Sequence, residues 1–301
     1  MLFKKNLLDD LTIPLISQEW INCFLSVLST IINFPLEIYY IFRLQMYLYY
    51  VGNLKKDTIY YSLANPNNNP NNNPLTISHK KSHSGKIICW NIQYGNSLLK
   101  LDTLEEIIKF LEDERPEIVI LQEILKNEKL NQIELLSQRL GLQHSHFQTH
   151  TEFQNIKIGN LILSPYPLRV IRSYRNYQMV KLERNGRNLI LINVHFPSDI
   201  TCFRQKSILS HLILELEQVK KENPDSEFLL AGDFNLLSWS KEIQALQRII
   251  DLLPNQQYTF PSNYPLVKYD YVFHSGFQTE PTLDVKDLTF SDHTPMVIQI
   301  N

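Results

Sequence analysis

The feature that most constrains the fold is a regular alternation of short apolar runs with longer amphipathic segments over residues 86–301. The apolar runs are rich in β-branched residues and predict strands buried on both faces: KIICW (86–90), EIVILQ (117–122), IGNLILS (158–164), RNLILINV (187–194), EFLLAG (227–232), VKYDYVF (267–273) and TPMVIQI (294–300). The amphipathic segments 101–114, 127–140 and 201–222 predict helices between them. Strands interleaved with helices predict an α/β domain with covered sheets.

A low-complexity tract, NPNNNPNNNP at 65–74, divides the chain. Such a tract cannot bury enough apolar surface to offset its conformational entropy, which predicts a linker. We therefore expect a helical, apolar N-terminal extension (1–64), an Asn/Pro-rich linker (65–85) and a large α/β domain (86–301).

The N-terminal extension contains an uncharged amphipathic stretch from Trp20 to Leu36, followed by the aromatic segment IYYIFRLQMYLYY (38–50). The stretch is short and interrupted by polar residues, so it is marginal for a membrane span. Two interpretations stay open. The helices of residues 13–50 pack on the α/β domain or on a second copy, which is the commoner case for amphipathic helices, or they lie on a membrane surface.

Charge and cysteine content narrow the class of protein. The formal net charge is −2, and residues 86–301 carry 22 basic and 26 acidic side chains, a net −4, which argues against strong nonspecific nucleic-acid binding. Cys23, Cys89 and Cys202 are too scattered for a disulfide framework and fit a reducing compartment. We expect a cytoplasmic protein, peripherally membrane-associated if residues 13–50 lie on a membrane.

Polar side chains gather where the predicted strands end. They are Asn91, Glu123, His195, Asp233 and Asn235, with Asp270 inside VKYDYVF and the run Ser291, Asp292 and His293 just before the last strand. If that last strand is antiparallel to its neighbours, all of these groups meet at one edge, where open α/β sheets keep their sites.

The residue types at this edge suit phosphoester chemistry. Glu123 and Asp292, with Asn91, offer hard oxygen ligands without thiols, which favours Mg²⁺, with Mn²⁺ as an alternative, over zinc. Two histidines beside such a metal can handle the attacking water and the leaving oxygen. Asp270 would orient His293.

Seven motifs in order carry a family resemblance: WNI at Asn91, LQE at Glu123, GNLILS (159–164), NVHF (193–196), GDFN (232–235), YDYVF at Asp270 and SDH (291–293). The chain from residue 86 to 301 resembles the endonuclease/exonuclease/phosphatase superfamily, the deoxyribonuclease-I-like metal-dependent phosphoesterases. The resemblance implies a four-layered α/β sandwich of two mixed β-sheets flanked by helices.

The resemblance also implies roles. Glu123 would be the principal Mg²⁺ ligand, with Asn91 and Asp292 nearby, and Asp233 and Asn235 would position or activate the attacking water. His293, paired with Asp270, would act as general base or phosphate clamp, and His195 would stabilise the transition state or leaving group. Ser198 is a weaker candidate for a phosphate contact.

Three functions stay open at this point. The first is a phosphodiesterase acting on nucleic acid, the second is the same chemistry on a phospholipid or glycolipid headgroup with residues 13–50 at a membrane, and the third is an inactive binding module. The intact set of polar groups argues against the third. VKYDYVF argues against the inositol polyphosphate 5-phosphatases. The histidines His144, His146 and His150 of LQHSHFQTHTE predict a solvated polar face of a strand rather than a metal site.

Overall fold

The structure is a computed structural model that describes residues 84–99, 101–128, 130–153, 155–198, 203–254 and 257–301. The predicted N-terminal extension, and the predicted linker except for Ser84 and Gly85, lie outside these ranges and stay predictions. Gly85 already belongs to the fold, because its carbonyl oxygen accepts a hydrogen bond from the Ile300 amide at 2.8 Å.

The described chain forms strands and helices in alternation. The strands are β1 (Lys86–Asn91), β2 (Ile118–Lys126), β3 (His144–Phe153), β4 (Ile156–Ser164), β5 (Arg169–Tyr174), β6 (Tyr177–Arg184), β7 (Arg187–His195), β8 (Glu227–Asp233), β9 (Asp251–Leu252), β10 (Asp270–Ser275), β11 (Thr282–Val285) and β12 (Met296–Gln299). The helices are α1 (Leu104–Glu114), α2 (Gln132–Leu140), α3 (Phe203–Glu222) and α4 (Lys241–Leu246), with a 3₁₀ turn at Gln93–Gly95. None of the helices in the described ranges is long and apolar enough to cross a membrane.

Two six-stranded sheets are formed, in the orders β11-β12-β1-β2-β4-β3 and β5-β6-β7-β8-β10-β9. Each contains one parallel pair, β1 with β2 and β7 with β8, joined through α1 and α3 respectively. The last strand, β12, is antiparallel to β1, as the sequence predicts. Both sheets are therefore mixed, and the carboxyl ends of the parallel pairs face one edge of the molecule.

Three apolar clusters define the layers. The central cluster joins the facing sides of the two sheets and includes Ile87, Cys89, Ile120 and Ile162 from the first and Leu191, Leu229, Ala231 and Val272 from the second. The outer face of the first sheet packs on α1 and α2 through side chains such as Trp90, Ile107, Ile108 and Leu136. The outer face of the second packs on α3 and α4 through side chains such as Ile192, Leu212, Leu216 and Ile243. The predicted four-layered sandwich is confirmed.

The two strands that flank β4, which are β2 and β3, each contain a bulge. On β2, Leu121 and Ile124 face Leu161 and Gly159, so that the pair at 122–123 lies opposite Asn160 alone. On β3, Thr149 and Thr151 face consecutive residues of β4, so that His150 is the extra residue. A bulge bends its strand and redirects a side chain. The prediction that β2 ends at Glu123 is therefore wrong: β2 continues to Lys126, and Glu123 lies in its bulge.

Candidate active site

Asp233, the last residue of β8, is the hub of the polar cluster. Gly232 precedes it with φ +144°, and a Cβ there would lie 2.0 Å from the Val194 carbonyl oxygen, so glycine permits the close approach of β8 to β7. Asp233 is buried, and its Oδ2 accepts hydrogen bonds from Asn91 Nδ2 at 3.2 Å and Asn235 Nδ2 at 3.1 Å. Burial raises the pKa of the Asp233 carboxyl to about 7, opposed by the neighbouring His293.

His293 lies between two carboxylates. Its Nδ1 is 2.8 Å from Asp270 Oδ2, and its Nε2 is 3.6 Å from Asp233 Oδ2. The indole of Trp90 donates to the His293 carbonyl oxygen at 2.7 Å, and the Phe260 ring packs 4.9 Å from the imidazole, which fixes the ring. Burial of the ring opposes its charge, but the carboxylates of Asp270 and Asp233 raise the pKa of His293 well above 6.5.

His195, from the second sheet, and Glu123, from the first, contact each other. His195 ends β7 directly opposite Asp233. Its Nε2 lies 3.6 Å from Glu123 Oε1 and 3.9 Å from Asp233 Oδ2. Glu123 reaches this position because the bulge gives it φ +56°, a left-handed backbone that turns its side chain toward the edge where Asn91, His195 and Asp233 meet, here named the catalytic edge.

A chain of hydrogen bonds links the three predicted metal ligands. Asn91 Nδ2 lies 3.4 Å from Glu123 Oε1, and Asn91 Oδ1 accepts from the Gln93 amide at 3.1 Å. Gln93 Nε2 then donates to Asp292 Oδ2 at 2.8 Å. Asn91, Glu123 and Asp292 thus belong to one network at the seam of the two sheets.

Gln93 was missed by the sequence reasoning. The sequence does contain a pattern that could have indicated Gln93: it follows Asn91 by two residues, just as Asn235 follows Asp233 by two residues. Asn235 also differs from expectation, since its Nδ2 is committed to Phe196 O at 2.9 Å and to Asp233. It therefore holds the Asp233 carboxylate, and Oδ1 is the atom of its amide that is left for water or substrate.

The oxygen-rich network fits a hard divalent cation. Glu123 and Asp292 supply carboxylates, and Asn91 lies beside Glu123 with its Oδ1 bonded to the Gln93 backbone N–H. Gln93 Oε1 is buried and has no hydrogen-bond partner within the described chain. An orphaned oxygen beside Asp292 is what a bound cation or one of its waters would satisfy.

A second group of possible ligands is Asp233, Asp270 and His293, whose donor atoms lie within 4.8 Å of one another. We favour the network at Glu123 for two reasons. The hydrogen bond between His293 Nδ1 and Asp270 needs a proton that a metal would displace. The trio is also fully buried, whereas Mg²⁺ keeps several waters.

Eight of the nine predicted site residues contact one another in this cluster: Asn91, Glu123, His195, Asp233, Asn235, Asp270 and His293 directly, and Asp292 through Gln93. Ser198 lies in the loop after β7, three residues beyond His195, and its role as a phosphate contact stays a prediction. Asp270 is the first residue of β10 rather than an internal one, and it faces Asp233 across the pair.

The prediction of a solvated face for the β3 histidines is wrong for two of them. The Nε2 atoms of His146 and His150 are both buried. The ring of His150 lies 5.1 Å from the ring of His195, with the planes at 75°. The bulge redirects His150, whereas His146 lies in the regularly paired part of β3 and shares a face with the buried Gln148.

Comparisons with known proteins agree with this architecture. The sequence model of the Endonuclease/Exonuclease/phosphatase family matches residues 88–293. A comparison with curated protein sequences finds no match.

Three solved structures illustrate the shared fold. An endonuclease/exonuclease/phosphatase from Beutenbergia cavernae is 17% identical with a TM-score of 0.56, covering 72% of this chain and 71% of that one. Truncated TDP2 from Caenorhabditis elegans is 14% identical with a TM-score of 0.56, covering 71% and 96%. The human Nocturnin catalytic domain with bound sulfate is 16% identical with a TM-score of 0.56, covering 71% and 92%.

The fold and the cluster at its edge define a phosphoesterase-type α/β sandwich. The chain belongs to the endonuclease/exonuclease/phosphatase family.

Proposed function

We propose that this protein is a divalent-cation-dependent phosphodiester hydrolase in which water attacks phosphorus beside Asp233. One observation carries the proposal: the buried Asp233 carboxylate lies within 3.9 Å of two imidazoles and is held by two amides. A scissile phosphate at this edge would contact groups that accept a proton, donate a proton and carry positive charge.

Asp233 is the group that we expect to take the proton of the attacking water. Its carboxylate is fixed by Asn91 and Asn235, and its pKa of about 7 suits a base that works near neutral pH. The alternative base, His293, has a raised pKa because Asp270 and Asp233 flank it, so its imidazolium is better suited to hold the phosphate. We expect His195, which lies next to Glu123, to stabilise or protonate the leaving oxygen.

The cation that we propose is Mg²⁺, with Mn²⁺ as a substitute, held by Glu123 and Asp292 with Asn91 nearby. When bound, it supplies positive charge that polarises the phosphate and offsets the charge of the transition state. Nucleic acid is the first substrate class to test, since the family includes endonucleases and exonucleases by name.

One observation favours a second candidate, a phosphodiesterase acting on phospholipid or glycolipid headgroups. Trp239 and Tyr264 are 69% and 73% exposed, and Tyr258 and Leu266 are also exposed. These side chains lie on the loops that follow β8 and precede β10, which are the loops that flank Asp233 and Asp270. Exposed aromatic and aliphatic side chains around a site suit a lipid–water interface.

The test is turnover with a panel of phosphoesters, each with Mg²⁺ and with EDTA: plasmid, single strand, abasic duplex, sphingomyelin and inositol phosphates. We expect Asp233→Ala and His293→Ala each to reduce Mg²⁺-dependent turnover by about a hundredfold or more, the scale of a lost acid–base group. Asp251→Ala is the matched control, because this exposed carboxylate faces His274, four residues along β10 from Asp270. Near-normal rates in both site variants would remove the proposal.

A further inference from the structure

His150 occupies a position that the mechanism above does not use. It is the bulged residue of β3, and its ring packs edge-on against His195, 5.1 Å between ring centroids. β3 pairs with β4, and on the other side of β4 lies β2, whose own bulge presents Glu123. Two bulges around one strand therefore display two side chains toward His195, and only one of them, Glu123, has been given a role.

The ring of His150 has an unused hydrogen-bonding atom. Nδ1 lies 2.9 Å from the Thr151 hydroxyl oxygen, whereas Nε2 is buried and has no partner within the described chain. Buried polar atoms are normally paired, and an unpaired one beside a catalytic group calls for an explanation. Burial, and then the nearby His195, lower the pKa of His150 to about 3. When the Thr151 hydroxyl donates to Nδ1, the proton of this neutral ring lies on Nε2 and can be donated to a ligand oxygen.

The turn between β5 and β6 adds a fixed positive charge at the same place. Arg175 Nε donates to the His150 carbonyl oxygen at 2.8 Å. The next residue, Asn176, binds both backbone polar groups of His195. The Asn176 side chain donates to His195 O at 3.2 Å, and the Asn176 carbonyl oxygen accepts from His195 N at 2.9 Å. The turn is thus tied to both histidines.

The guanidinium of Arg175 is available for an anion. The side chain is exposed, and its Nη1 and Nη2 donate to no residue in the described ranges. Anchoring through Nε leaves the planar pair of Nη donors, which matches two phosphate oxygens. The Arg175 guanidinium, anchored to the His150 carbonyl oxygen, and the buried imidazole of His150 therefore lie together beside His195.

We propose that His150 and Arg175 form a second phosphate subsite, which binds the phosphate next to the scissile one in the substrate. The inference rests on the proposed function, because it takes the scissile phosphate to lie between Asp233 and His195. The second phosphate could be the neighbouring linkage of a polynucleotide or a terminal phosphate on a small diester. In either case the subsite selects substrates with two adjacent phosphate groups.

The first arm of the test measures turnover of matched dinucleotides with Mg²⁺. Thymidylyl-thymidine is compared with the same compound carrying a 5′- or a 3′-terminal phosphate. We expect one of the phosphorylated forms to be preferred in kcat/KM by about tenfold or more, the scale of a hydrogen bond to a charged group. Arg175→Gln and His150→Gln should each bring this ratio close to one. Arg169→Gln is the control, because this exposed arginine is the first residue of β5, at the end of the strand remote from the turn that carries Arg175, and it should keep the wild-type ratio.

The second arm measures binding without turnover. Calorimetry in EDTA compares thymidine 3′,5′-bisphosphate with the two monophosphates, and the same preference should appear in the wild type and be lost in both variants. Binding of a ten-residue single strand against salt identifies the source of the phosphate. If the backbone phosphate is bound, Arg175→Gln should lower the slope of log K against log salt by about 0.7; an unchanged slope with a lost bisphosphate preference would assign the subsite to a terminal phosphate.

The outcomes separate this inference from the proposed function. Hydrolysis that persists with unchanged ratios in Arg175→Gln and His150→Gln would overturn the subsite and leave the enzyme assignment intact. Absence of hydrolysis with a preserved bisphosphate preference would overturn the assignment and leave the subsite. Circular dichroism of each variant checks the fold, and His150→Asn replaces His150→Gln if the latter does not fold.

Discussion

Three side chains of the site stand on backbone that residues other than glycine rarely adopt. Gln93, Glu123 and Asn235 have φ of +46°, +56° and +49°. Such conformations cost free energy and are kept where the surrounding structure determines them, commonly at functional sites. The sequence could indicate the carboxylate and the amides, because each follows an apolar run. It could not indicate these backbone angles, which occur in the bulge of β2 for Glu123 and in the segments that follow β1 and β8 for Gln93 and Asn235.

Glu117, at the edge of the fold remote from the site, carries a prediction about stability. It is buried and accepts hydrogen bonds from the Gly85 amide, the Tyr166 hydroxyl and the Arg184 guanidinium. In Glu117→Gln the buried Arg184 loses its counter-charge, so we expect the free energy of unfolding to fall by about 3–5 kcal/mol. Urea unfolding followed by circular dichroism measures the change.

The matched control is Glu112→Gln, which breaks a surface pair with Arg139. Both side chains of that pair are about one-third exposed, so the change should stay within about 1 kcal/mol. Equal losses in the two variants would show that burial of the Glu117 pair is energetically irrelevant.

The two bulges around β4 depend on Gly159. A Cβ at this position would lie 2.0 Å from the Gln148 carbonyl oxygen, so β3 and β4 can approach only at a glycine. We expect Gly159→Ala to cost about 1–3 kcal/mol by overpacking and also to lower the turnover of the folded protein, because Glu123 and His150 are displayed from this point. Thermal unfolding and kcat are measured on the same sample.

Gly186→Ala provides the comparison for that variant. Gly186 is in the β6–β7 turn with φ +77°, and a Cβ there would meet nothing within 4 Å. Its substitution should cost about 1–2 kcal/mol through left-handed strain alone and leave kcat unchanged. A Gly159→Ala enzyme with full kcat would contradict the role given to the bulges.

The strands that sequence predicts are those with continuous apolar runs, since they are buried on both faces. β1, β4, β7 and β8 follow this rule within two residues of the predicted bounds. The rule misses β5, whose side chains are mostly polar and partly exposed, and two-residue β9, which is too short to show a period. β3 is equally polar, and only the spacing of its histidines indicates a strand. This rule also fails to predict the bulges, and therefore it does not predict the direction of the His150 side chain. Local pattern therefore located the catalytic edge, while strand pairing decided which polar side chains face it.

The exposed side chains of the catalytic edge allow the two candidate substrate classes to be compared. If the substrate is single-stranded nucleic acid, Trp239→Ala should raise its KM by about fivefold or more, because a stacked base contributes about 1–3 kcal/mol. Under the lipid alternative, the same variant should lose activity on vesicles and keep its activity on soluble diesters. Leu214→Ser is the control, since this leucine is 64% exposed on α3, away from the catalytic edge. An unchanged KM for every substrate would contradict both readings.

The position of β12 has a consequence for how the protein is made. β12 fills the gap between β1 and β11, and His293 and Asp292 precede it by three and four residues. A nascent chain still carrying these residues inside the ribosomal tunnel has an incomplete first sheet and lacks the imidazole that faces Asp233. The cluster of polar side chains around Asp233 is therefore complete only after nearly all of the described chain has been translated.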